Sequence, residues 1–246
     1  MWKYILLFMV SCLTTDTMQS QTYYSEFIQN LDSMKNTGLR RTKKDNSEDY
    51  YIPEEAVKNY IKLFNQLQCT RKNATVQCFY KCDRYGGRPV LVASSQDVNQ
   101  LYKHKKLTPE WLYQNAAHHY MVPVNSSPMA LFQYLVFNEY GEQFALYWHA
   151  LYTKRRILLK HPYRNPKSRK IRLYTNSILD QELNSEALDK GIEPVVTMDE
   201  NHCFITLFEE NHTNIKQVKY RIERKYPWSI TLLEEKPMIK KSQIIY

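Results

Sequence analysis

The sequence predicts an α+β protein in which N-terminal helices pack on a mainly antiparallel sheet that ends in a C-terminal β-meander. Three observations carry this reading. Apolar residues recur at helical spacing in two stretches before residue 70, two aromatic-rich runs flank a turn near residue 140, and apolar and polar residues alternate after residue 200.

The chain opens with Met1-Trp2-Lys3, the apolar run Tyr4 to Leu13 and a short polar stretch to Ser20. A charged start, an apolar core and a small polar end are the parts of an export signal, so residues 1–20 are expected to direct export. Two processing routes compete. Cleavage near Ser20-Gln21 would leave 226 of the 246 residues, and Met9-Val10-Ser11-Cys12 loosely matches a lipobox, which makes Cys12 the lipidation candidate of a lipoprotein. The apolar run is shorter than the ~20 residues a bilayer span needs, so no transmembrane span is expected.

Residues 21–246 read as a single α+β domain. Tyr24, Phe27, Ile28, Leu31 and Met34 form the first helical stripe, which Gly38 ends. Residues 39–49 (LRRTKKDNSED) are polar and charged and read as a flexible connection. Pro53 opens a second helix with the stripe Val57, Tyr60, Ile61, Phe64 and Leu67. Thr75 to Asp83 and Pro89 to Ala93 read as strands around Gly86-Gly87. Ser95 is the expected cap of a helix carrying Val98, Leu101 and Tyr102, and Thr108-Pro109-Glu110 opens another. Met129 to Asn138 and Gln143 to Tyr152 are expected to form a hairpin about residues 139–142. Its register sets His149 opposite Phe132 on an apolar face. A strand at Ile171 to Tyr174 and a helix at Ser177 to Lys190 follow. In the meander, Cys203, Ile205 and Leu207 alternate with Phe204, Thr206 and Phe208, Val218, Tyr220 and Ile222 alternate with Lys219, Arg221 and Glu223, and Ser229 to Leu233 adds a third strand.

With 43% apolar and 24% charged residues the composition is globular. The net charge of +9 is unchanged by loss of residues 1–20, which carry one Lys and one Asp. Such a charge draws a protein toward anionic lipid, polysaccharide or another envelope protein. It is concentrated where no acidic residue occurs between Glu142 and Asp180, and Lys154, Arg155, Arg156, Lys160 and Arg169 are the candidate binding residues of this basic segment. With Cys12 removed, Cys69, Cys78, Cys82 and Cys203 remain as disulfide candidates. Cys78 and Cys82 lie on one strand, about 13 Å apart, so a bridge would join Cys69 to one of them. Four free buried thiols are the alternative.

The motifs of common catalysts are missing. None of the five glycines sits in a phosphate-binding loop, and there is no GxSxG, HExxH or CxxC, so neither a nucleotide cofactor nor any other is expected. His118 and His119 with Glu110 are the candidate catalytic residues, near Asn115 and His149, since imidazoles and a carboxylate serve acid–base chemistry. No metal site is expected from them. Twenty tyrosines and four tryptophans suit glycan stacking or an interface, and equally the exposed faces of a sheet. Asn73-Ala74-Thr75, Asn125-Ser126-Ser127 and Asn211-His212-Thr213 match the N-glycosylation pattern. The expected function is therefore that of an exported basic protein, a non-catalytic binding or cell-envelope protein. The alternatives are a hydrolase using His118 or His119 with Glu110, and a structural subunit of a larger envelope assembly.

Overall fold

The computed structural model describes residues 23–34, 40–41, 50–83, 86–146, 150, 154–159, 193–211 and 214–240. The export segment with Cys12, the elements expected at 171–174 and 177–190, and His149, Lys160 and Arg169 lie outside these residues.

The first helix, α1 (23–34), buries Tyr24, Phe27, Ile28 and Leu31, the stripe its sequence sets out. Strands β1 (Arg40–Arg41) and β2 (Tyr50–Tyr51) pair antiparallel, so the ends of the charged connection meet. Helix α2 (Glu54–Lys62) starts at Pro53, which supplies the helix-compatible φ without needing a donor. Strand β3 (Leu67–Cys69) pairs with β6 (Met121–Pro123), and β4 (Thr75–Asp83) forms a nine-pair ladder with β5 (Gly86–Ser94). Two short helices, α3 (Val98–Lys103) and α4 (Pro109–Gln114), precede β6. Asp97, not Ser95, caps α3, and Thr108 caps α4 through Trp111 N.

The expected hairpin at 129–152 is overturned. Its first arm is helix α5 (Pro128–Tyr140), which Ser127 caps through Ala130 N and Pro128 starts. A helix buried on every side has no polar face to mark its period, so it reads like a strand covered on both faces. Residues such as Leu131, Phe132, Leu135 and Val136 are all fully buried, and Gly141 closes the helix where a turn was expected. The described residues of the second arm, 143–146 and 150, form no strand, and Phe132 lies in a helix, so the register that opposed it to His149 does not exist.

The C-terminal half is one five-stranded sheet. Strand β9 (His202–Glu210) lies at its centre, flanked by β10 (Asn214–Glu223), with β11 (Ile230–Lys240) outside that. The other edge of β9 is shared by β8 (Val195–Met198), against residues 203–206, and β7 (Arg156–Ile157), against Glu209 and Glu210. The alternation is as predicted: Cys203, Ile205 and Leu207 are buried in β9, and Val218, Tyr220 and Ile222 in β10. Helix α5 lies between this sheet and the N-terminal helices. Phe132 meets Tyr24 at 4.8 Å between ring centroids, and Phe137 meets Phe64 at 5.1 Å. Buried residues of α1, α2, α5, β9 and β10 thus share one core. The α+β class and the C-terminal antiparallel series stand as read from the sequence.

Candidate ligand-binding cleft

Helix α2 has two working faces. Tyr60 points into the core, where its hydroxyl donates to Gly141 O at 2.9 Å. A second stripe, built from Glu54, Val57, Lys58, Ile61 and Lys62 at helical spacing, faces an open cleft of about 730 Å³. Leu67, Cys69 and Met121 line its β3–β6 side, where Cys69 stands opposite Met121 in the ladder. The start of β4, residues 74–78, lines the far wall, and Asp97, Val98 and Asn99 edge it at α3. The volume lies within the range of small-molecule sites, about 300–1,000 Å³.

The polar groups of this cleft are mostly occupied. Gln77 donates to the carbonyls of Ser94 and Gln96, both at 3.0 Å, and accepts from Val98 N, which ties β4 to the turn before α3. Asp97 accepts from Asn99 N and Gln100 N as a helix cap. Glu54 pairs with Lys58 at 2.7 Å. Lys62 donates to Asn59 Oδ1 at 3.4 Å. Burial pushes the Cys78 thiol up to about 12, so it is a neutral, weakly polar wall group at ordinary pH. The described lining holds two thiols and no histidine. Chemically, the cleft can enclose an apolar body.

The residues singled out in the sequence are placed elsewhere. His118 and His119 lie in an exposed 3₁₀ turn (Ala117–His119) with their rings 4.1 Å apart, and His119 sits edge-on to Tyr113. Partial burial and the neighbouring His119 push His118 down from its ordinary value. Glu110 is exposed in the first turn of α4. Asn115 is buried, accepting from Arg71 and donating to Trp111 O. Among the described residues no group of three or more His, Cys, Asp or Glu could hold a metal ion. The thiols of Cys69, Cys78 and Cys203 are free, and Cys82 lies on β4 with its side chain outside the described set.

Of the basic segment, the structure describes Lys154, Arg155 and Arg156, all half-buried. Arg155 reaches into the core. Its Nε and one terminal nitrogen donate to Glu209 Oε2 at 3.0 and 2.7 Å, and the other pairs with Glu139 at 3.2 Å. The Tyr140 hydroxyl donates to the same Glu209 oxygen at 2.8 Å, and Lys216 stands 3.5 Å from Oε1. Glu209 is 1% exposed. Burial alone would raise its pKa, but hydrogen bonds and charge from Arg155 outweigh that and hold it below the usual carboxylate range. Arg156 pairs with Glu210 at 2.6 Å. Sequence reasoning missed Glu209, although one signal was there: it falls on the same inward parity as Cys203, Ile205 and Leu207, where a lone carboxylate demands a cation.

No known protein family, curated protein or solved structure matches the chain.

Proposed function

We propose that this is a non-catalytic binding protein, of the exported and envelope-associated class expected from its N-terminal segment, which holds the apolar body of a small molecule in the cleft between α2 and β4. One observation carries the reading: an open space of about 730 Å³ walled by Val57, Ile61, Val76, Val98 and Met121, with most of the surrounding polar groups bonded to the protein itself. Apolar surface in such a cleft that still meets water, chiefly at the half-buried Ile61 and Val76, gains free energy when a ligand covers it, at about 25 cal/mol per Å² buried.

A neutral environment-sensitive dye, N-phenyl-1-naphthylamine, tests it. The expected result is saturable one-to-one binding that Val76→Trp abolishes while the circular dichroism spectrum stays native. Absence of saturable binding, or binding that ignores Val76→Trp, overturns the cleft as the site. Export is tested separately by the mature protein's intact mass, which distinguishes cleavage after Ser20 from lipidation of Cys12 and from an unprocessed chain.

A further inference from the structure

We infer that the ligand of this cleft is a single-chain amphiphile with an anionic head, such as a fatty carboxylate, and that Lys62 receives the head. The inference rests on the cleft reading above and deepens it. Four charged side chains edge the cleft: Glu54, Lys58, Lys62 and Asp97. Glu54 and Lys58 neutralise each other at 2.7 Å along α2. Asp97 is bonded to two amides of α3, which spread its charge into the helix. Lys62 alone of the four has neither a charged partner among the described residues nor a backbone cap, because its ammonium meets only the amide oxygen of Asn59 at 3.4 Å. It stands one turn beyond Lys58 and next to Ile61 at the end of α2, so its side chain borders the cleft at the solvent edge. Its alkyl stem extends the cleft wall while the charge stays in water.

Such an arrangement sorts head groups. An alkyl chain in the cleft with a carboxylate at the rim gains the ammonium. An alcohol of the same length gains only the apolar contact, and an alkylammonium meets Lys62 as a like charge. The ammonium is exposed, so the discrimination is modest, about threefold to fivefold.

Displacement of N-phenyl-1-naphthylamine by dodecanoate, 1-dodecanol and dodecylammonium, each below its critical micelle concentration, tests this. Dodecanoate is expected to compete about threefold to fivefold better than the alcohol and the ammonium worst, with the spread narrowing at high salt. Lys62→Ala should bring dodecanoate down to the alcohol and leave the alcohol unchanged, and Lys62→Glu should reverse the order of the two ions. Equal competition by all three in the unaltered protein, or a preference for dodecylammonium, overturns the head-group assignment and leaves the cleft standing. Failure of all three, with a dye that binds regardless of Val76→Trp, removes the cleft itself.

Discussion

Around Glu209, a guanidinium, a phenol and an ammonium converge on one carboxylate that solvent barely touches, whereas along the outer stripe of α2 the charges stand at the rim of an open space. Both regions lean on the same core, the first through Tyr140 of α5 and the second through Leu67 of β3 and Met121 of β6. They bury surface in opposite ways. In the first the partners come from α5, β9, β10 and the residue preceding β7, and the chain completes its own site. In the second, apolar and polar side chains of α2, β3, β4, β6 and α3 border a space that stays open among the described residues. A buried charge met from several sides fixes an architecture, while an open cleft with apolar groups in its walls is the usual form of a small-molecule site.

The largest expected effect comes from breaking the sealed cluster. Glu209→Ala would strand Arg155 and the Tyr140 hydroxyl in the interior, and removal of one partner of a buried pair costs about 3–5 kcal/mol. Urea unfolding should show that loss. The pair Glu209→Leu with Arg155→Met removes both charges and should recover most of it, since a well-packed apolar replacement is often neutral or better. Binding of the neutral dye to the cleft should be the same in the double variant as in the parent. A double variant as unstable as Glu209→Ala would show that Tyr140, Lys216 or Glu139 needs the pair. A dye affinity that fell with it would show that the two regions are not independent.

Acid should read out the same contrast through two carboxylates. Glu209 is held below the usual range in the fold, so its contribution is fully present above the unfolded value, about 4.3, and is lost as the pH falls through its lower folded value. Glu142, whose carboxylate accepts from Leu91 N at 2.8 Å, is pushed up by burial. Its contribution is present below about 4.3 and is lost as the pH rises through its higher folded value. Urea midpoints taken from pH 3 to 7 should therefore fall less steeply on the acid side in Glu209→Gln, and decline less toward neutrality in Glu142→Gln. Identical slopes in parent and variants would refute both assignments.

A smaller loss is expected at the start of the helix that carries Tyr140. Ser127 Oγ accepts from Ala130 N at the start of α5, and Ser127→Ala removes that cap at about 1 kcal/mol. A thermal melt measures it. No loss at all would mean that packing around Leu131 and Phe132 holds the first turn unaided.

How much of this was legible in the sequence follows from which forces leave a period. Strand β4 and the α1 stripe were read to within a residue, because half-buried elements must alternate or repeat. Strands β9 and β10 were legible for the same reason, and the caps at Thr108 and Pro53 because they answer local backbone needs. Helix α5 was misread because full burial erases its period, although Ser127-Pro128 was the helix start that residues 129–138 lacked as a strand. The cleft was not legible. Val57, Ile61, Cys69 and Cys78 were all identified, but as packing or disulfide residues, since nothing local states that α2 stands off from β4. Arg155 and Arg156 read as binding residues of a basic segment because their partners Glu209 and Glu210 lie more than fifty positions away in β9.

Two thiols bring the comparison to single atoms. Cys78 lines the cleft and Cys203 lies in the core under the sheet, yet burial pushes both up to about 12. Only the thiolate attacks iodoacetamide, and at pH 8 roughly one part in ten thousand of such a thiol is ionised, against about a quarter for an unfolded cysteine. Alkylation of both in the native protein should therefore be about a thousandfold slower than in urea, with no change in stability to record. Peptide mapping by mass spectrometry at timed intervals measures each site separately. Equal protection would show that the cleft wall beside Cys78 is as dry as the core, which is what an apolar ligand needs. If Cys78 were alkylated as fast in the native protein as in urea while Cys203 stayed protected, water would already reach that wall, and the apolar body of a ligand would have to bind nearer to Ile61 and Val98.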